Sequence, residues 1–277
     1  MNGRNHKLLG GVMRVALIGL GLVQLASAQI ATVTASIPFI AFGGTTAPGN
    51  VNAWTTEFAF TNLGSSAAAV NIRWYGDNGQ PLAVPVVGAT RATTQQFVIA
   101  PNGTFSFTLD NTQDPLTGGW AAVDVVGSIT GQAIFHSALT GRPEYITSAP
   151  LVRNGPPNGI IVLGGGVPVT TVAAPVSLAV PFNNVGNATG VSFANITNVA
   201  QTLVLNYVDN SGAVLMAQTI PLAAGAHTSF PLNDSRVAGK KGVVLVNGDG
   251  SPYSAIAFVQ GTGANAGTVA TLLPLTQ

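Results

Sequence analysis

The sequence predicts an all-β fold in which two antiparallel β-sandwiches follow each other after a cleaved signal peptide. The stretch Phe58–Leu82 occurs again, about 133 positions later, as Val191–Leu215, which indicates an internal duplication. Short alternating runs of apolar and polar residues are separated by turn residues roughly every 8–12 positions, a spacing typical of β-sandwiches. No segment after the leader combines a 3.6-residue periodicity with helix caps, so helix should be nearly absent.

The chain begins like an export signal. A basic start precedes the apolar run Val15–Leu25 and the motif Ala-Ser-Ala at 26–28, which together are typical of a signal peptide. The run is shorter than the roughly 20 residues that a membrane-spanning helix needs. We therefore predict that residues 1–28 are removed before Gln29. The mature protein would be secreted, to the periplasm, the cell surface or the medium, without a membrane span.

The composition also favours an exported β protein. Hydrophobic residues make up 47% of the chain. Charged residues make up only 7%, against about 25% in ordinary soluble domains. The surface must therefore consist largely of Thr, Ser, Asn, Gln and Gly. The chain has no cysteine, so the core alone must stabilise it in an oxidising compartment.

The charge balance argues against nucleic acid as a partner. Once the predicted leader is removed, seven Lys and Arg residues face nine Asp and Glu residues, a net charge of −2. Nucleic-acid binding depends on clustered cations that neutralise phosphates. The adjacent pair Lys240 and Lys241 is typical of a solvated turn.

The first module is predicted to span 29–152. It opens with a strand at 29–40, followed by a loop at Gly43–Val51. In the strand Val70–Trp74, the apolar residues Val70, Ile72 and Trp74 share one face. This alternation is typical of a half-buried antiparallel strand. The residues Gly-Asp-Asn-Gly at 76–79 then predict a tight turn.

The rest of the first module reads as two further hairpins and a closing strand. Leu82–Val87 is interrupted by Pro85, which favours an edge strand or the end of one. The predicted pairs are Gln95–Ala100 with Thr104–Leu109 and Trp120–Val126 with Gln132–Ser137, and Glu144–Val152 closes the module.

The second module, at 169–277, follows the same order after a Gly- and Pro-rich linker at 153–168. Phe60 corresponds to Phe193, Asn62 to Asn195 and Trp74 to Tyr207. The offset later falls to about 123, so the first module carries about ten extra residues, around Val87–Gln96. Surface loops tolerate such insertions.

The order of these motifs resembles a family. The elements FTNLGSSAAAVNIRWYGDNGQPL, IAPNGTFSF, GWAAVDVVGSITGQAIF and GRPEYITSAPL resemble repeats of uncharacterised secreted bacterial proteins of immunoglobulin-like type. The resemblance implies that both modules are immunoglobulin-like sandwiches. It carries no catalytic signature, and the chain departs from antibody domains because it lacks their paired cysteines.

Catalytic chemistry finds little support in the sequence. Most carboxylates fall at turns, where Asp commonly bonds its own backbone; Asp124 and Glu144 are the exceptions on strands. A glycoside hydrolase would need one of them in a cleft with a second carboxylate. His136, expected to pack at a strand end, and His227 lack the spaced partners of a zinc site. We therefore predict no enzymatic activity, no metal and no cofactor.

Calcium is an alternative at the turns. Asp77, Asp209 and Asp249 lie beside Asn or Gly and offer oxygen ligands. The same residues suit tight turns for backbone reasons alone, and no loop has three spaced carboxylates. The turn interpretation is therefore favoured.

The tryptophans are the best candidates for ligand contact. All three lie in the first module: Trp54, Trp74 and Trp120. Trp74 shares a face with core residues. Trp54 and Trp120 have no aromatic counterpart in the second module, and an exposed Trp can stack on a sugar or anchor a protein. We select Trp54 and Trp120 as ligand-binding candidates, with burial in the core as the alternative.

The function expected from the sequence is non-enzymatic. The mature protein would bind a protein or polysaccharide at the cell surface, in adhesion or matrix structure, and self-association is left open. The alternative is a carbohydrate-binding accessory module of an extracellular enzyme system.

Overall fold

The described part of the chain consists of β-strands and their connections. The computed structural model describes residues 33–109, 115–141, 144–153, 177–263 and 268–276, and these contain no α-helix. The predicted all-β, antiparallel architecture is therefore confirmed. The predicted signal peptide at 1–28 and nearly all of the predicted linker at 153–168 lie outside the described residues.

Among the residues that the structure describes, nine strands lie in the first half, between 33 and 153, and nine in the second half, between 177 and 276. In the first half they are β1 Val33–Ala47, β2 Asn50–Asn62, β3 Ala68–Tyr75, β4 Thr94–Ile99, β5 Thr104–Thr108, β6 Thr117–Val126, β7 Ile129–Leu139, β8 Tyr145–Pro150 and β9 Val152–Arg153. In the second half they are β10 Ser177–Asn183, β11 Asn187–Asn195, β12 Gln201–Asp209, β13 Val214–Leu222, β14 His227–Pro231, β15 Lys241–Asn247, β16 Tyr253–Gly261, β17 Val269–Leu272 and β18 Leu275–Thr276.

The strands of the two halves pair in the same order. In the first half, β4-β3-β6-β1 form one layer, with β9 paired to β1, and β5, β2, β7 and β8 form the other. In the second half, β13-β12-β15-β10-β18 form one sheet and β14-β11-β16-β17 the other. In the first half the apolar faces of the two layers meet, since the rings of Phe58 on β2 and Trp74 on β3 lie 5.2 Å apart. The result is a sandwich-like arrangement of layers.

The first strand contributes to both layers of the first half. Its beginning pairs with β6 and its end, Gly43–Ala47, pairs with β2. The change of direction falls at Gly43 and Gly44, whose φ angles are 85° and 109°, a region that favours glycine. The sequence prediction of a loop over Gly43–Val51 is therefore wrong, because these glycines bend a strand rather than end it.

Two connections predicted as hairpins are arches between the layers. β4 pairs with β3, whereas β5 pairs with β2. β6 pairs with β1 and β3, whereas β7 pairs with β2 and β8. The hairpin predictions are wrong because turn residues, such as Asn102 with its φ of 55°, reverse the chain whether or not the strands that follow share a sheet.

The extra residues of the first half are only partly a surface loop. In the first half, residues 76–93 connect β3 to β4. The equivalent strands of the second half, β12 and β13, are connected by residues 210–213 alone. Val84 and Val86 within the longer connection are buried in the first-half core. Leu82–Val87 forms only isolated bridges, so the predicted edge strand is wrong there.

Each half has its own hydrophobic core. Trp74 is fully buried in the first, beside Phe58 and Phe107. Tyr207 is fully buried in the second, where its hydroxyl donates to Gln218 Oε1 at 3.0 Å. Burial, with a smaller contribution from the negative charge of Asp234, raises the pKa of Tyr207 to about 12. The prediction that Trp74 is a core residue is confirmed, and its counterpart Tyr207 is buried in the same way.

A buried asparagine has the same role in each half. Asn62 Nδ2 donates to the carbonyls of Ile99 and Ala100, and Asn195 Nδ2 donates to those of Leu222 and Ala223. Both side chains are 0% exposed. Each therefore ties the end of one strand to the arch that links the two layers, which accounts for an asparagine at both positions.

Candidate binding cleft between the two halves

The outer face of the second half's β14-β11-β16-β17 sheet is covered by the first half. On β11, Val191 and Phe193 belong to the second-half core, so Ser192 and Ala194 point to the opposite face. Both are nonetheless buried. The residue of β2 that corresponds to Ser192, Ala59, stays partly exposed. The two halves therefore differ on the face where they meet.

Polar and apolar contacts join the halves. Ser36 Oγ donates to Ser254 Oγ at 2.8 Å. The hydroxyls of Thr147 and Thr271 lie 2.7 Å apart. Ile256, on β16 of the second half, belongs to the first-half core cluster. The halves thus share part of a core.

Trp120 lies at this junction. Its ring stacks on Tyr75, with centroids 4.9 Å apart, and its Nε1 donates to the Gly225 carbonyl of the second half at 2.7 Å. The residue is 2% exposed and packs against Ala122 and Ala194. Contacts within the protein therefore engage both the ring and the N–H. Ligand binding by Trp120 stays a prediction.

The turn at 76–79 approaches the backbone of the second half closely. A Cβ on Gly79 would lie 2.1 Å from the Ala224 carbonyl oxygen, closer than any real contact allows. Next to it, the backbone N–H of His227 donates to the Asp77 carbonyl at 3.2 Å. This turn is thus a docking element as well as a chain reversal.

A Ser–His–Asp hydrogen-bond network, formed by Ser192, His227 and Asp77, crosses the junction. His227 Nδ1 lies 2.7 Å from Asp77 Oδ1, and since a carboxylate only accepts, Nδ1 donates. His227 Nε2 lies 2.8 Å from Ser192 Oγ. Ser192 Oγ is also 2.8 Å from the Pro38 carbonyl. The His227 side chain is 0% exposed, whereas that of Asp77 is 69% exposed.

The same three residue types form the nucleophile, base and orienting acid of serine hydrolases. Here the hydroxyl proton has two acceptors, the Pro38 carbonyl and the neutral imidazole. The hydroxyl donates to the Pro38 carbonyl at 2.8 Å, so its proton is already engaged in the junction. Ser192 is also 1% exposed. The geometry therefore places the Ser192 hydroxyl inside the junction, where it helps to join the two halves.

An apolar cavity opens beside this network, and we call it the aromatic cleft. Its volume is about 330 Å³. The residues lining it come from both halves: Phe39, Trp54, Phe135, Ser137, Leu139, Tyr145, Thr147, Ala188, Thr189, Gly190, Val191, Ser192, Ser229, Phe230, Pro231, Phe258, Gln260 and Val269. The predicted ligand residue Trp54 is thus part of a real concavity, although binding itself stays a prediction.

The strands place three polar or aromatic side chains side by side in the aromatic cleft. Ser137 on β7 lies opposite Trp54 on β2 and opposite Tyr145 on β8, so the three share one face of the sheet. Ser137 is 3% exposed, and its Oγ has no hydrogen-bond partner among the described residues. An unpaired buried hydroxyl of this kind is one that a ligand can satisfy.

A second cavity, of about 460 Å³, lies at the other end of the junction. It is lined in part by Arg73, Tyr75 and Trp120. The Arg73 guanidinium pairs with Asp124 at 3.0 Å and donates to the Tyr75 hydroxyl at 3.2 Å. Its Nη1 and Nη2 are thus engaged within the protein, whereas its buried Nε has no hydrogen-bond partner among the described residues.

The two carboxylates selected for a hydrolase are separately paired. Asp124, on β6, binds Arg73, and Glu144, which precedes β8, lies 3.1 Å from His136 Nδ1. β6 and β8 belong to different layers. His136 was expected to pack at a strand end; it lies instead within β7, partly exposed and paired with Glu144.

The turn carboxylates are engaged by nearby groups. Asp209 Oδ1 accepts from the backbone N–H groups of Ser211 and Ala213. The pKa of Asp209 is lowered, first by the hydrogen bond from the Ser211 hydroxyl and then by these N–H groups. Asp249 Oδ2 accepts from the Thr202 N–H. Among the described residues, no group of three or more His, Cys, Asp or Glu residues could hold a metal ion.

The sequence did not single out the Ser–His–Asp network. His227 and Asp77 lie 150 positions apart in the sequence, and the residues around Asp77 indicate only a tight turn. The one available signal is the difference between the copies: Ser192 stands where the first half has Ala59, a change that the duplicated strand pattern does not require.

Comparison with known proteins leaves the family open. No family model and no curated protein matches the sequence. No helix in the described ranges is long and apolar enough to cross a membrane. Among solved structures, the chain is similar to a serine-rich repeat protein (Srr2) from Streptococcus agalactiae, at 10% identity and a TM-score of 0.20, over 86% of this chain and 92% of that one. So low a TM-score carries no conclusion, and the resemblance to secreted immunoglobulin-like proteins stays a prediction.

Proposed function

We propose that this protein is an exported, non-enzymatic binding protein made of two immunoglobulin-like β-sandwiches that act as one body at the cell surface or outside the cell. The observation that supports this function best is the aromatic cleft. It combines a ligand-sized volume of about 330 Å³ with Trp54 and an unpaired buried hydroxyl. Ligand sites are typically concave, mostly apolar and supplied with a few convergent polar groups.

The absence of catalysis is part of the proposal. The Ser192 hydroxyl is held by the Pro38 carbonyl in the junction. Asp124 pairs with Arg73, and Glu144 pairs with His136. A nucleophile or acid pair needs access to substrate, and these contacts favour a docking or surface role for each group.

The docked halves suit a binding role. Hydrogen bonds from Ser36 and Trp120, and the shared core residue Ile256, join the halves on both sides of the Ser–His–Asp network. A cleft between rigid layers is held ready for its partner, so less ordering entropy is lost on binding. Adhesion or matrix structure follows if the partner is part of a surface.

Binding to intact surfaces tests this function. Labelled mature protein, residues 29–277, is mixed with the producing cells, cellulose or chitin, and the sedimented fraction is measured. We expect saturable binding to cells that Trp54→Ala weakens by about tenfold, because the ring is one of the large aromatic groups that line the cleft. Leu63→Ala, an exposed apolar residue outside the cleft, is the matched control and should leave binding unchanged.

The carbohydrate-binding alternative predicts a different result. Trp54 lines the cleft with part of its surface exposed, as a sugar-stacking residue would. Trp54-dependent binding to cellulose or chitin, without binding to cells, would favour the accessory module. If neither surface is bound, or if Trp54→Ala and Leu63→Ala behave alike, the proposed function is wrong.

A further inference from the structure

We infer that the aromatic cleft takes an uncharged, mostly apolar ring that carries one hydrogen-bonding group, such as a hydroxyl or a carbonyl. This inference rests on the proposed function and deepens it by naming the chemical class of the ligand.

The wall of the cleft favours a ring. Phe39 and Phe258 meet edge to face with centroids 5.1 Å apart, and Phe135 meets Phe258 in the same way at 5.4 Å. Trp54 stands edge-on to Phe39 at 6.2 Å. Rings and edges of this cluster line the cavity, and aromatic groups gain specific edge and offset contacts with such walls.

The lining excludes a charged ligand. None of the residues that line the cleft is Asp, Glu, Lys, Arg or His. An ion placed there would lose its hydration without gaining a counter-charge, which is strongly unfavourable. A ring without net charge loses little hydration by comparison.

Ser137 provides for one polar group on the ligand. Its Oγ is buried and lacks a partner among the described residues, and it lies between Trp54 and Tyr145 across neighbouring strands. A hydroxyl or carbonyl on the ligand ring would form the hydrogen bond that Ser137 Oγ lacks. Leaving a buried hydroxyl without a hydrogen bond costs free energy. A sugar carries many hydroxyls, whereas the lining is mostly apolar, so a sugar ring fits less well.

Calorimetric titration of the mature protein tests the inference with three probes that share an ethyl-substituted benzene ring. We expect 4-ethylphenol to bind at least tenfold tighter than the anion 4-ethylbenzoate, and about fivefold tighter than ethylbenzene, the value of roughly one hydrogen bond. Ser137→Ala should remove the preference for 4-ethylphenol over ethylbenzene. Trp54→Ala should weaken both, and Leu63→Ala neither. Cellohexaose should not bind.

The outcomes separate this inference from the proposed function. Equal binding of the three probes, or tighter binding of 4-ethylbenzoate, overturns the ligand class even if Ser137→Ala fails to fold, because the wild-type comparison stands alone. If Trp54-dependent binding to cells persists in that case, the proposed function still holds. Conversely, 4-ethylphenol binding without any surface binding supports the ligand class and overturns the surface role. Displacement from cells by 4-ethylphenol would show that the ring belongs to a surface molecule rather than to a free compound.

Discussion

At the scale of single residues, the described part of the chain contains two histidine–carboxylate pairs in opposite surroundings. The His227 side chain is 0% exposed beside Asp77, whereas His136 and Glu144 are 30% and 56% exposed. Exposed pairs contribute about 0–1 kcal/mol because water screens them. The buried ring of His227 depends on its partner, since an unpaired buried donor costs about 1–3 kcal/mol.

We predict that Asp77→Ala lowers the free energy of unfolding by about 2 kcal/mol, because it leaves His227 Nδ1 unpaired in the junction. Asp77→Asn keeps an acceptor and should cost about 1 kcal/mol, since the neutral bond is weaker than the charged one. Glu144→Gln is the control and should change stability by less than about 0.5 kcal/mol. Urea unfolding measures all three. If Glu144→Gln costs as much as Asp77→Ala, burial of the ring does not determine the effect.

Residue identities differ in how far the sequence reveals them. The core positions Trp74 and Tyr207 can be predicted from the alternation of apolar and polar residues and from the internal duplication. Alternate residues of a strand point to opposite faces of the sheet, so position along the strand decides which face a side chain takes. The partnership of Ser192, His227 and Asp77 does not follow, since it depends on how two halves dock. The docking of the two halves depends on the shapes of their facing surfaces and on the small side chains there, and neither gives a periodic pattern in the sequence.

At the scale of elements, the two turns at 76–79 and 209–212 form a natural comparison. Gly79 and Gly212 have similar positive φ angles, 77° and 87°, and each donates its N–H to a carbonyl three residues back at 3.0 Å. Only Gly79 faces the other half: a Cβ there meets the Ala224 carbonyl at 2.1 Å, whereas one on Gly212 meets nothing within 4 Å.

We therefore predict that Gly212→Ala costs about 1 kcal/mol, the strain of a side chain at positive φ. Gly79→Ala carries the same strain and must also push the halves apart, so it should cost at least about 2 kcal/mol more. Chemical denaturation compares the two variants. Equal costs would mean that the turn at 76–79 adjusts without disturbing the junction.

Elements also show where sequence reasoning stops. Strand positions are largely predictable from the sequence. An arch between layers cannot be told from a hairpin, because Pro101, Asn102 and Gly103 provide the same local chain reversal in either case. The sheet that a strand joins is decided by which apolar faces meet across the core. That choice involves partners remote in sequence, such as Phe58 on β2 and Phe107 on β5.

At the scale of the whole molecule, the junction makes the halves depend on each other. Ile256 of the second half lies in the first-half core, and Phe258 packs against Phe39 and Phe135 of the first half. Burial of such side chains contributes roughly 1.5–3 kcal/mol each. Neither half keeps this contribution alone, so the two should unfold together.

We predict a single calorimetric unfolding transition for residues 29–277 and two transitions for Trp120→Ala in the same chain. Truncation of a buried tryptophan costs about 3–5 kcal/mol, and here it removes the stack on Tyr75 and the bond to the Gly225 carbonyl, which hold the junction rather than either core. Trp74→Ala, a truncation of equal size inside the first-half core, is the control: it should lower the transition temperature and leave one transition. A single transition in Trp120→Ala would mean that the remaining contacts, Ser36 with Ser254 and the Ser–His–Asp network, are sufficient to couple the halves.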